Sequence, residues 1–498
     1  MYPPGQSITI QDGGLNLPVE ALSRPLVFGV CSGGTANTLY WLNKSGDATA
    51  LGRGPAIELA APIADSGGCL FMKTASTTAG SVGAVTPSRV STSTGTITVA
   101  NLPNDSYRVR VRIATTGTVN VGRFQYALDG NTTVDAEGWS PIYTIPSGGT
   151  FALPGTGLTS ALPLTLTFTP GAGPIFFEIG DQHRLDCVAP HYTTADLTAA
   201  FAVLLAQMGS LRPERIMFAG VNQTASAAIV LAAAIAGHLD TLVALKRFPV
   251  AVMDGGSIDS IGNFRTAIAS FTDDRVGLVY DAITATTGPM VVSKIPFAGY
   301  AAPVVPAVNI VAERYARTEL SESCARVRSG SCRGVIRIGN DEGTNPLFTA
   351  EDRIITLRRV DGYGGFFITK PFIRSAPTSD FRTLQWMTVI SKACQIAHDS
   401  LQQWIESNLR ALTDGTGYLA EEDAMRVQDS VNCALREQLK EPANIEGFKG
   451  HVSDCKYTVT RTNNYLTTGA IYGILAIVPL REVEGLYTTV GLVSSLEA

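Results

Sequence analysis

The sequence predicts a multidomain chain of mixed α+β and α/β class, with a β-sandwich inserted into an α/β domain and an extended arm at each end. Its 498 residues amount to two to four domains at about 100 to 200 residues each. The spacing of apolar residues changes from two to about 3.6 and back along the chain, which separates strand-rich from helix-rich stretches. A short alternating run stands near each terminus with no hairpin partner beside it.

Residues 1–25 form the N-terminal arm: Pro3, Pro4, Gly13 and Gly14 surround one alternating run that carries Ile8 and Ile10. The α/β domain takes 26–79 and 188–300. Residues 25–30 are a continuous apolar strand, and 55–61 a short helix with Pro55 at its first position and Pro62 as its stop. Residues 80–187, rich in Thr, Ser and Gly, form the inserted sandwich. There Tyr107, Val109, Val111 and Ile113 alternate with Arg108, Arg110 and Arg112, which predicts one dry and one wet strand face. Helices at 196–208 and 224–245 then alternate with strands at 215–221, 248–253 and 275–279.

The C-terminal core spans 301–484. A helix is expected from about 380 to 412, with Thr378, Ser379 and Asp380 as cap candidates and Phe381, Leu384, Val389, Ile396, Leu401, Trp404, Ile405 and Leu409 as its buried face. A second helix at 421–439 opens with Glu421, Glu422 and Asp423, which suit the positive end of its dipole. Strands at 455–461 and 470–478 flank Asn463 and Asn464. Residues 485–498 form the C-terminal arm, with an alternating run that includes Tyr487, Val490 and Leu492.

Composition excludes several functions. Apolar residues make up 45% and charged residues 16%, against about 25% charged in typical soluble chains, so bulk disorder is excluded and an under-charged, partner-seeking surface is implied. Lys and Arg total 38 against 43 Asp and Glu, a net charge of -5 that offers no field to hold nucleic acid or an anionic membrane. The most apolar stretch, 225–245, contains Gly237, His238 and Asp240, and therefore reads as a buried helix rather than a membrane span. The first residues lack the order of a secretory signal, so assembly in the cytoplasm is expected.

Catalytic and cofactor motifs are missing. No GxxxxGK[ST] or GxGxxG cradles a phosphate, and neither HExxH nor GxSxG occurs. Gly33 and Gly34 read as a turn, and Asp254 and Asp281 as turn or capping residues at strand ends. Glu313, Arg314, Arg317, Glu319 and Glu322 read as a solvated or interfacial charged face. Cys394 with His398, and His451 with Cys455, share an i, i+4 spacing that zinc sites use on helices. The second pair lies in a loop-to-strand region, so ordinary packing is expected. No catalytic residue, cofactor or metal is assigned.

The order of parts resembles the contractile tail sheath proteins of myophages, and the inserted domain is similar to that of Mu-like sheaths. The residues that carry the resemblance are 28–34, 48–54 and 67–70 for the opening strands and turns, and 95–99, 126–130 and 157–169 for the insertion. Pro190 with 193–197 matches the following helix, and 361–370 with 478–480 the C-terminal core. The resemblance implies a tail-sheath architecture and a non-enzymatic subunit of a virion tail. Copies would polymerise helically around the tail tube protein, between baseplate and tail terminator, and contract to drive the tube through the host envelope.

On that reading Ile8, Ile10, Tyr487, Val490 and Leu492 add as strands to sheets of adjacent subunits. Glu421, Glu422 and Asp423 are candidates for contact with the tube. The cysteines, Cys31, Cys69, Cys187, Cys324, Cys332, Cys394, Cys433 and Cys455, lie outside the family pattern and are candidates for disulfides in a released, oxidised particle. No direct nucleic-acid contact and no membrane insertion are expected. The alternatives are an α/β enzyme of unknown substrate and a virion decoration or adhesion protein.

Overall fold

A computed structural model describes residues 24–480, except 91–92, 129–138, 155–163, 172–175, 210, 221–222, 257–260, 281–282, 285–287, 290–291, 295–303, 415 and 441–449. Ile8, Ile10, Asp281, Tyr487, Val490 and Leu492 lie outside the described residues. The chain divides into two compact units between Lys392 and Ala393.

The first unit opens with strands β1 (Leu26–Gly29) and β2 (Thr38–Leu42), helix α1 (Pro55–Ala64) and strand β3 (Cys69–Lys73). The insertion follows, with β4 (Thr96–Ala100), β5 (Tyr107–Thr115), β6 (Arg123–Ala127), β7 (Thr150–Ala152), β8 (Thr165–Thr169) and β9 (Gln182–Val188). The chain then returns through α2 (Thr194–Gln207), β10 (Arg215–Phe218), α3 (Ala225–Ala244), β11 (Val250–Asp254), α4 (Ile261–Ile268), β12 (Val276–Val279) and α5 (Ala307–Arg317).

Six of these strands make one sheet in the order β12-β11-β10-β1-β3-β2, parallel throughout except for the β2 edge. Helices cover both faces, which is why β1, β12 and the interiors of β3 and β11 are apolar and buried at consecutive positions instead of alternate ones. Leu26 and Phe28 point to α2, α3 and α4, with the Phe28 ring 4.6 Å from Phe201. Val27, Phe71 and Met217 point to α1 and to Ala312 of α5.

Helix α1 continues through Pro62 instead of stopping before it. An interior proline costs about 3 kcal/mol. All ten residues of α1 are buried, and burying Ile57, Leu59 and Ile63 is worth about 1.5 to 3 kcal/mol each, so packing wins.

The insertion is a sandwich of two antiparallel sheets. One has β9, β5 and β6 at its centre, with the short strands Ser81–Val82 and Tyr143–Thr144 at its ends. The other runs β7-β8-β4. Phe124 packs against Phe168 at 4.6 Å and, edge-on, Phe151 at 5.0 Å, closing one core between them. The expected wet face of β5 is corrected: Arg108 and Arg110 are buried. β5 is flanked on both sides, by β9 and β6, and the register sets Asp186, which pairs with Arg184 at 3.1 Å, opposite Arg108.

A hairpin, β13 (Leu357–Val360) and β14 (Tyr363–Ile368), precedes α6 (Leu384–Gln402). Helix α6 is shorter than its apolar pattern predicts. Phe372 and Ile373 pair with Thr383 and Arg382, which holds the chain extended up to Leu384, and Ser379 accepts from the Phe381 amide in a turn. Beyond Gln402, Glu406 has a left-handed backbone and Ile405 is exposed.

In the second unit α7 (Glu421–Leu435) runs into one wider turn, Arg436–Lys440, and packs on an antiparallel hairpin of β15 (Val452–Thr460) and β16 (Tyr472–Pro479). The short helix Tyr465–Thr468 closes that hairpin.

Candidate functional site

In a doubly wound sheet a ligand crevice opens where the strand order reverses, here at the carboxyl ends of β1 and β10. Pro306 and the first turn of α5 fill it. Asn309 accepts from the Gly220 amide at 3.0 Å and donates to the Pro55 carbonyl at 3.1 Å and to Glu58 at 3.4 Å. Gly220 lies so close that a Cβ there would sit 2.2 Å from Pro306 Cβ. After β1, the Ser32 and Gly33 amides bond Arg53 and Leu51, while the Gly33 and Gly34 carbonyls receive Lys73 Nζ at 2.6 and 2.7 Å. A phosphate cradle needs the opposite polarity, amides outward. Asp254 is buried and accepts from the Gly256 amide at 3.0 Å, a turn role.

Among the described residues no three His, Cys, Asp or Glu side chains converge as a metal site. His398 bonds Gln402 at 2.9 Å. All eight cysteines are thiols: Cys31, Cys69, Cys187, Cys324 and Cys332 are buried, Cys394 and Cys455 half-buried, and Cys433 exposed. Burial pushes Cys31 up to about 11 and Cys69 and Cys187 up to about 12, which suppresses their thiolates. Leu26 pairs with Leu70, so Cys31 and Cys69 lie at opposite ends of adjacent strands, about 17 to 20 Å apart and beyond bridging distance.

The acidic start of α7 is engaged within its own unit. Glu421 pairs with Arg461 at 3.2 Å and Glu422 with Arg410 at 2.6 Å, both with exposed side chains. Asp423 turns inward, accepting from the Arg410 amide at 2.7 Å. The Arg410 contacts hold the Asp423 carboxyl below the usual aspartate range.

The hairpin beneath α7 has two unlike edges. On β15, the Tyr457 amide donates to Asn432 at 2.7 Å, the Asn432 amide donates back to the Tyr457 carbonyl at 3.0 Å, and the Val459 amide donates to Gln428 at 3.3 Å. These groups therefore point away from β16 and are capped by α7. Antiparallel pairing alternates, so opposite Tyr457 and Val459 the backbone groups of Leu475, Gly473 and, by the same parity, Ile477 face outward from β16. Among the described residues no strand pairs with that edge. Tyr472, Ile474 and Val478 beside it are 55, 66 and 54% exposed.

No protein-family model matches the chain, and no curated protein matches it in sequence. Among solved structures it is similar to a sheath tail protein of Listeria innocua, at 12% identity over 92% of this chain and 96% of that one, with a TM-score of 0.43. It is also similar to a chain of the anti-feeding prophage baseplate, at 13% identity over 60% of this chain and 74% of that one, with a TM-score of 0.40. A chain of the same baseplate in its contracted state gives 13% identity over 61% and 77%, also at 0.40.

Sequence reasoning missed Asn309, Gln428 and Asn432. Asn309 left one signal, a lone amide between Val308 and Ile310. Gln428 and Asn432 stand one helical turn apart on α7, but nothing in the sequence pairs them with a strand.

Proposed function

We propose that this chain is a structural subunit that polymerises into a contractile tail sheath. The observation that carries the reading is the β15–β16 hairpin, with one edge capped by α7 and the other bare among the described residues. Two-stranded sheets are marginal in water, and a bare edge is a template for a further strand. On this reading an arm of a neighbouring copy, either 485–498 with Tyr487, Val490 and Leu492 or 1–25 with Ile8 and Ile10, adds to β16. Its backbone meets Gly473, Leu475 and Ile477, and its side chains lie beside Tyr472, Ile474 and Val478.

Copies joined in this way form a mesh around a tail tube, between baseplate and terminator, in a virion tail assembled in the host cytoplasm. Contraction then draws on a trapped packing that relaxes, without nucleotide. Glu421 and Glu422 are the acidic residues left to face a tube, since Asp423 is buried. The filled crevice between β1 and β10 weighs against an α/β enzyme.

Negative-stain microscopy of the concentrated full chain tests this. Tubes or sheets are expected. Ile477→Pro removes one outward donor and no bond between β15 and β16, so it should leave a folded monomer, as should deletion of 485–498 together with 1–23. A full chain that stays monomeric, or both variants forming normal tubes, overturns the reading.

A further inference from the structure

Two carboxyl groups and one guanidinium are shut away from water where the inserted sandwich meets the α/β layer. Arg53 precedes α1, Glu58 lies in its first turn, and Asp105 stands just before β5; they are 6, 3 and 2% exposed. The seam is close-packed on both sides. A Cβ on Gly54 would lie 3.5 Å from the Asn104 carbonyl oxygen, and the Ala189 amide donates to Ser106 Oγ at 3.2 Å, tying the entry of the insertion to its exit.

Arg53, from the loop before α1, and Tyr107 of β5, whose hydroxyl bonds Arg53, face Asp105, while Glu58 of α1 acts on Tyr107. From helix α5 the neutral Asn309 amide reaches Glu58 at 3.4 Å. Asp105 is thus a carboxyl in a dry site, where burial disfavours the charged form and one guanidinium opposes that effect. Asp105 has the Ser106 amide at 2.9 Å and its share of Arg53.

We propose that this seam is a proton-held latch: protonated Asp105 fastens the inserted sandwich to the α/β layer, and loss of that proton loosens the joint. Burial raises Asp105 to about 7, against the lowering effects of the Ser106 amide and Arg53. In an opened seam, exposed to water, the group returns to about 3.9. The closed seam therefore holds one extra proton between those values. Its added stability is complete below about pH 4, is lost as pH rises to about 7, and is constant above.

Hydrogen exchange of the full chain from pH 5 to 8.5, corrected for intrinsic rates, reads the opening at residues 105–109 and 186–190. Protection there should fall about tenfold per pH unit up to pH 7 and then level off. Asp105→Asn should abolish the slope. Arg53→Gln, which takes away the charge that lowers Asp105, should carry the slope to higher pH and decides the matter should the first variant not fold. A flat wild-type profile, or a slope unchanged in a folded variant, overturns the latch.

Discussion

His183 shows how a single side chain sets the acid limit of the insertion. It lies on the inner face of β9 opposite Val111, and burial lowers it to about 4 despite the neighbouring Asp181. The unfolded chain takes up a proton near 6.5 that the folded chain refuses. This residue's contribution to stability is therefore complete above 6.5 and is lost as pH falls towards 4. Asp105 acts in the opposite sense over the same range, so the two partly cancel in the wild type. Between pH 7.5 and 5, thermal melts of His183→Gln should gain about 2 kcal/mol relative to the wild type. Equal pH dependence of the two proteins would place the imidazole in water. Neither group was legible beforehand: His183 is one polar residue in an alternating strand, and the seam around Asp105 is made with Arg53 and Gly54, more than forty residues away in the chain.

Periodicity and turn chemistry revealed most elements. Thr193 and Asp196 form the capping box of α2, Thr224 caps α3, and the hairpin around Asn464 pairs as its alternation implies. Helix α3 is long and apolar enough to cross a bilayer by length and composition. Yet Ala228, Leu231, Ala232, Ile235, Leu239 and Leu242 bury one side of it against the sheet. The misses occur where a distant partner overrides local pattern, as when the pairing of 372–373 with 382–383 delays α6. Within the second hairpin, the Tyr457 ring lies over Gly473, where a Cβ would stand 2.1 Å from the hydroxyl oxygen. Gly473→Ala must displace that ring from the α7 interface and should cost about 1 to 3 kcal/mol in urea unfolding, while Tyr457→Ala combined with it restores none of the lost packing. A variant as stable as the wild type would show that the ring yields freely.

Across the whole molecule, thiol chemistry is limited by burial. Five of the eight cysteines are enclosed in cores, and Cys433 alone among the described ones is exposed. A covalent link between folded copies therefore falls first to Cys433, and one such residue per chain can join two copies but not many. Oxidised assemblies on nonreducing gels should show dimers and no ladder, and Cys433→Ser should remove the dimer. A ladder in the wild type would bring Cys394 or Cys455 into play. Composition changes sharply near residues 80 and 190, whereas the plugging of the α/β crevice left no local sign, since Pro306 and Asn309 arrive from far along the chain.

The central strand β1 is also the first strand of the described chain, and its two neighbours, β3 and β10, are separated by residues 74–214. At about 5 to 20 residues per second, a ribosome needs on the order of ten seconds or more to make that stretch. Throughout that interval the nascent protein carries half of a sheet with a raw apolar flank. The sandwich, which has a core of its own, can be finished in the meantime. Chaperone demand during translation should accordingly peak before residue 218 emerges, and shortening the insertion should reduce it.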